Sequence, residues 1–113
     1  MKYFLTEAER KKRGSTLYFE FQKGKFKGKC WLNDSLCLHA DIFDRLKLYG
    51  FFSKVMPTFD YYYMSNYVTR DTWALIRSLS KEHGGEIEEL IKELTPWAND
   101  CFEKYDVFTI CGI

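Results

Sequence analysis

The segment from Leu17 to Gln22 constrains the fold most. Leu17, Phe19 and Phe21 alternate with Tyr18, Glu20 and Gln22. A period of two is that of a strand with one buried face, because successive side chains point to opposite sides. Lys23-Gly24-Lys25 follows, and its glycine can take the positive φ of a tight turn. A second alternation then sets Phe26, Gly28, Cys30 and Leu32 against Lys25, Lys27, Lys29 and Trp31. The two runs predict a β-hairpin. Asn33-Asp34 marks a turn, and Ser35 to His39 reads as a third short strand with Leu36 and Leu38 inward.

The period changes at Asp41. Ile42, Phe43, Leu46 and Tyr49 share one helical face, with Asp41 as the expected N-cap and Gly50 as the expected stop. Pro57 interrupts the next stretch, and Phe59 to Tyr63 form an aromatic run that fits a short strand or an ordered loop. Thr69 reads as the N-cap of a helix that carries Trp73, Ile76 and Leu79 on one face and stops at His83-Gly84-Gly85. A further helix turns Ile87, Leu90, Ile91 and Leu94 inward and Glu86, Glu88, Glu89 and Glu93 outward. Thr95-Pro96 predicts a restart or kink. Asp106 to Ile113, rich in β-branched and aromatic residues, reads as a closing strand. Before the first strand, Thr6 to Glu9 suggests a helical turn, followed by the basic run Arg10 to Arg13, read as a solvated terminus. The whole, residues 1–113, predicts a single α+β domain. It has a mainly antiparallel sheet with an N-terminal hairpin and a C-terminal strand, and helices on one face.

The composition supports a packed domain, since 19% of the residues are aromatic and disordered chains are poor in such side chains. No apolar run reaches the ~18 residues that span a bilayer. Met1 to Gly14 lacks the apolar core and cleavage site of a signal peptide, which predicts a cytoplasmic protein without membrane contact. The four cysteines are expected as reduced thiols in that compartment. Charge is uneven along the chain. Residues 1–54 carry twelve Lys/Arg against six Asp/Glu, and residues 55–113 carry five against ten.

Signals for chemistry are sparse. No Cys-x-x-Cys occurs; Cys37 and His39, two apart on a strand, make at most half a zinc site. The glycines match neither a phosphate-cradling loop nor a dinucleotide fingerprint. No catalytic residue, cofactor or metal is therefore expected, and the chain reads as a binding protein rather than an enzyme. Two binding surfaces suggest themselves. One combines Asp60, Tyr61, Tyr62 and Tyr63 with Glu86, Glu89 and Glu93, an acidic and aromatic surface suited to a basic protein partner. The other sets Lys25, Lys27 and Lys29 beside Trp31 on a hairpin face, a pattern used to track phosphates and stack bases of single-stranded nucleic acid.

The ending Trp97-x-x-x-Cys101-Phe102, with Asp106 to Ile113, and the block Phe59-Asp60-Tyr61-Tyr62 ahead of a capped helix with Trp73 resemble small bacterial immunity proteins. Those proteins are encoded beside polymorphic or contact-dependent growth inhibition toxins. The resemblance spans roughly residues 57–113. It implies a protein that binds and neutralises a cognate toxin domain, often a nuclease, stoichiometrically and without turnover.

Overall fold

The computed structural model describes residues 1–113. Five strands, β1 (Phe4–Thr6), β2 (Tyr18–Lys23), β3 (Leu36–His39), β4 (Asn66–Thr69) and β5 (Val107–Cys111), form one antiparallel sheet in the order β1-β3-β2-β5-β4. Five helices join them: α1 (Glu7–Arg13), α2 (Ala40–Arg45), α3 (Leu48–Ser53), α4 (Arg70–His83) and α5 (Gly85–Lys104). The α+β class and the mainly antiparallel sheet are those the sequence predicts. No helix is long and apolar enough to cross a membrane.

Register explains the core. Phe4 faces Leu38, Leu38 faces Phe19, and Phe21 lies between Leu36 and Ile110, so these side chains fall on one side of the sheet. Helices α2 to α5 cover that side with Phe43, Leu48, Phe51, Phe52, Trp73, Ile76, Leu90 and Leu94, all buried. Phe19 stacks on Phe43 with ring centroids 3.9 Å apart, and Phe108 meets Trp73 and Trp97 edge-on. Such pairs contribute about 0.5–1.5 kcal/mol each beyond the area they bury.

The opposite side carries polar residues, yet it too is covered. Cys37, Glu20 and Cys111 form a row across β3, β2 and β5, and all three are buried. Helix α1 and the 24–35 loop form the cover. Arg10 is buried, pairs with Glu7 at 2.5 Å, and places its guanidinium 3.9 Å from the centre of the Trp31 ring. The basic run is thus not uniformly solvated. Its first member is an internal tether, and α1 lies on the side away from the other four helices.

Four local expectations are corrected. The second half of the predicted hairpin is a loop: β2 pairs with β3 and β5, and residues 24–35 contain no strand. Alternation there gives way because Glu20, from inside the sheet, captures the loop backbone. Leu17, expected inward, lies outside β2 and is exposed. The predicted helix from Asp41 to Gly50 is two helices. His39, not Asp41, caps α2 by accepting the Asp41 amide at its Nδ1 (3.0 Å). The chain then turns through a left-handed Lys47 (φ 56°), and Gly50 lies inside α3. Leu48, Phe51 and Phe52, spaced i, i+3 and i+4, define a second buried face that the first helix axis cannot reach. Thr95-Pro96 does not restart the helix, because α5 runs unbroken through it. Pro96 and Lys92 lie on the exposed side, so the carbonyl that Pro96 leaves unbonded faces solvent. Thr95 Oγ1 adds a bond to the Ile91 carbonyl at 2.7 Å. Two short edge strands, β1 and β4, lack enough alternation to be read from the sequence.

Strand β1 is held by one carboxylate. Glu93 on α5 accepts the backbone N–H groups of Lys2, Tyr3 and Phe4 at 2.6, 2.9 and 2.8 Å. Replacing Glu93 with alanine leaves three amides without that acceptor, and a cost of about 1–3 kcal/mol is expected. Amide exchange should rise selectively in residues 2–6. Unchanged protection there would show that the sheet alone retains β1.

Candidate functional site

The residues expected to bind a partner fall into three separate settings. The first is the aromatic loop after α3. Asp60 Oδ1 accepts the Tyr62 amide at 2.8 Å, and the Asp60 carbonyl accepts the Tyr63 amide at 3.2 Å, which curls the chain. Asn66, buried at the start of β4, ties the curl down. Its Oδ1 accepts from the Asp60 amide (2.9 Å), and its Nδ2 donates to the carbonyls of Asp60, Tyr63 and Ile110 at 2.9, 2.9 and 3.1 Å. The end of the chain adds two more bonds, from the Gly112 amide to the Tyr63 carbonyl (2.8 Å) and from Ile113 to the Tyr61 carbonyl (3.0 Å).

Held this way, the three tyrosines divide their roles. Tyr61 turns inward, edge-on to Phe19 at 4.9 Å and to Phe43 at 5.7 Å. Its burial, followed by the charge and hydrogen bonding of Asp44 and the nearness of Tyr62 and Asp41, raises its phenol pKa. Tyr62 and Tyr63 point to solvent and are 75% and 58% exposed. Exposed Tyr49 packs edge-on against Phe59 at the root of the loop. Leu17, Met64 and Ile113 line a shallow cavity on the flank where the loop meets β5. These neighbours, together with Asp41 and Asp44 of α2, were not legible as one surface, because their sequence positions are scattered and only the packing of Tyr61 gathers them.

The glutamates form the second setting, and the structure does not join them to the tyrosines. Glu93 is the β1 latch. Glu86 accepts Arg45 at 2.7 Å, and Glu89 accepts the Tyr3 hydroxyl at 2.6 Å and Lys2 Nζ at 3.1 Å. Arg45 holds the Glu86 carboxyl below the usual carboxylate range; Tyr3 and then Lys2 do the same for Glu89. Three ion pairs, Lys2–Glu89, Arg45–Glu86 and Lys23–Asp100, link the basic first half to the acidic second half. The charge polarity of the sequence is therefore partly cancelled within the fold.

The third setting is the 24–35 loop. Glu20, 2% exposed, accepts the Trp31 amide, the Leu32 amide and Ser35 Oγ at 2.8, 2.8 and 2.7 Å, and Gln22 Nε2 at 3.0 Å. Trp31 adopts a left-handed backbone (φ 63°), which costs a non-glycine residue about 1–2 kcal/mol. The amide bond to Glu20 and the ring contact with Arg10 offset that cost. Trp31 is thus turned toward α1, away from Lys25, Lys27 and Lys29, which project from a loop rather than from a strand face.

Cys37 and His39 likewise serve separate ends, Cys37 in the buried row and His39 as the α2 cap. Burial, with the charge of Glu20 behind it, pushes the thiols of Cys37 and Cys111 up to about 12. Thiols so shifted stay protonated and unreactive at neutral pH. No group of three or more His, Cys, Asp or Glu residues is placed to hold a metal ion.

These features define a small α+β domain that presents a braced tyrosine loop beside acidic α2. Comparison with protein-family models, curated proteins and solved structures found no match.

Proposed function

We propose that this protein is an immunity protein that binds a cognate toxin domain and blocks it stoichiometrically, using the tyrosine loop as its docking surface. The observation that carries the reading is the bracing of that loop. Five hydrogen bonds link Asn66, Gly112 and Ile113 to the backbone of a turn whose outermost side chains, Tyr62 and Tyr63, stay largely exposed, with Tyr62 resting edge-on against Tyr61 at 5.1 Å. Exposed rings held in one conformation lose little entropy on binding, and tyrosine anchors dominate many interfaces. Asp41, Asp44 and Asp60 add negative charge beside the rings, which favours a partner with a basic surface, as a nuclease domain has. Glu86, Glu89 and Glu93 drop out of the contact surface, since each has a partner within the chain.

The test is protection. The protein is co-expressed with the toxin domain encoded beside its gene, and survivors are counted against an empty vector. Rescue is expected. Tyr62→Ala combined with Tyr63→Ala should weaken toxin affinity by about a hundredfold, as loss of two anchors does, while the melting temperature holds. Asp41→Asn with Asp44→Asn should chiefly slow association and flatten its salt dependence. Absence of rescue by the native protein, or full affinity in the tyrosine double variant, would refute the reading.

A further inference from the structure

The three loop lysines do not form a strand face, but they are brought together. Lys23, Lys25, Lys27 and Lys29 line a cleft of about 650 Å³ whose far wall is Lys104 and Tyr105, where α5 runs into β5. Only two aspartates, Asp34 and Asp106, share the lining. Lys23 is paired with Asp100, and Asp106 with Arg70. Lys25, Lys27, Lys29 and Lys104 make no ion pair. Ammonium groups gathered closer than a Debye length of about 8–10 Å repel one another.

This loop is not free. Thr109 Oγ1 donates to the Gly24 carbonyl (2.7 Å), and the Gly24 amide bonds the Val107 carbonyl (3.0 Å). Gln22 Nε2 donates to the Lys29 carbonyl (2.8 Å), Glu20 holds the amides of Trp31 and Leu32, and Trp97 Nε1 donates to the Asp34 carbonyl (2.8 Å). Apart from the half-buried Trp97, each anchor is a buried or backbone group, and none is a lysine ammonium. The scaffold therefore fixes the backbone from which Lys25, Lys27 and Lys29 line the cleft. Tyr105 completes the site: its ring lies against Gly24, where a Cβ would come within 2.8 Å of Cδ1, yet it is 41% exposed.

We propose that this cleft binds the phosphates of a nucleotide, with the Lys25, Lys27, Lys29 and Lys104 ammonium groups on the phosphate oxygens and the Tyr105 ring against the base. The volume lies within the usual ~300–1,000 Å³ range of small-ligand sites. Lysines supply mobile donors that suit the tetrahedral array of phosphate oxygens, and a ring beside them accepts any base without regard to sequence. The site lies apart from the tyrosine loop and does not rest on the toxin reading. The same chemistry is offered by a free nucleoside triphosphate and by a single nucleic-acid strand.

The test uses the isolated full chain. Fluorescence anisotropy follows a labelled twelve-nucleotide oligothymidylate and, in a second arm, a labelled nucleoside triphosphate. Binding is expected at about 50 mM salt and should weaken about tenfold or more at about 200 mM, with displacement by inorganic tripolyphosphate. Lys27→Ala, Lys29→Ala and Lys104→Ala together should lose at least about tenfold, and Tyr105→Ala should weaken the base-containing ligands but not tripolyphosphate. Lys11→Ala, Lys12→Ala and Arg13→Ala together, an equal charge change outside the cleft, should retain affinity. The tighter of the two labelled ligands identifies the source of the phosphates. Failure of both ligands to bind at low salt, insensitivity to tripolyphosphate, or equal loss in the two triple variants would overturn the proposal. Retained melting temperatures would exclude unfolding as the cause of any loss.

Discussion

Replacing Glu20 with alanine is expected to release the 24–35 loop and to remove about 3–5 kcal/mol of stability, among the largest effects of any polar substitution in this chain. The carboxylate sits at 2% exposure in the middle strand of the sheet's polar side and accepts from four donors, two of them loop amides. Its removal leaves the Trp31 and Leu32 amides and Ser35 Oγ without that acceptor, each at a cost of about 1–3 kcal/mol where water cannot reach, while Gln22 Nε2 keeps the Lys29 carbonyl. It also frees Trp31 to leave its left-handed conformation, so the Arg10 contact should go with it. Guanidinium titration followed by tryptophan fluorescence measures the loss, and amide exchange should locate it in residues 24–35. Glu20→Gln separates charge from shape. The glutamine keeps one acceptor but turns an NH2 group toward N–H donors, and an intermediate loss of about 2 kcal/mol is expected. A loss below about 1 kcal/mol for the alanine variant would mean that the loop is held elsewhere.

Gly112→Ala should produce the second large effect, and it acts on function through structure. A Cβ at Gly112 would meet the Tyr61 carbonyl and come within 2.8 Å of the Tyr63 carbonyl oxygen, all backbone atoms with no side chain to yield. The tyrosine loop or the end of β5 must shift, at about 2–3 kcal/mol. The Gly112 and Ile113 amides, which bond the Tyr63 and Tyr61 carbonyls, should exchange faster. For the toxin docking we propose, affinity should fall by about tenfold or more although neither Tyr62 nor Tyr63 has changed, since a loosened loop must be ordered on binding. Gly50→Ala is the matched control. Gly50 lies inside α3 with open space where a Cβ would stand, and alanine there should be neutral or stabilise by up to about 1 kcal/mol. Undiminished partner affinity in Gly112→Ala would show that bracing of the tyrosines contributes nothing to binding.

Both substitutions probe features that lie outside local pattern. Glu20 occupies the polar phase of an alternating strand, where the sequence predicts solvent. Gly112 belongs to an apolar tail with nothing to mark it as a close approach. The tyrosines themselves were legible, because three adjacent rings beside an aspartate stand out in any sequence. Their division into one inward and two outward rings was not, since it depends on where Phe19 and Phe43 lie. The glutamates of α5 were correctly placed on its polar side, but a helical wheel does not show that β1 and Arg45 arrive to meet them.

What the sequence by itself determined is the set of elements whose signal is periodic and local. These are β2 and β5, the capped α4 with Thr69 at its head, the apolar face of α5, and hence an α+β domain with an antiparallel sheet. Local sterics and amphipathic spacing act within a few residues, so a single chain carries them in full. Tertiary structure alone decided the rest. The Lys25–Leu32 alternation became a loop because one buried carboxylate offered its backbone better hydrogen-bond partners than a neighbouring strand. The lysines then line a cleft instead of a strand face, and the carboxylates that act on the Tyr61 phenol lie on α2 rather than α5. Each of these outcomes follows from groups far apart in sequence meeting in space, which periodicity does not encode.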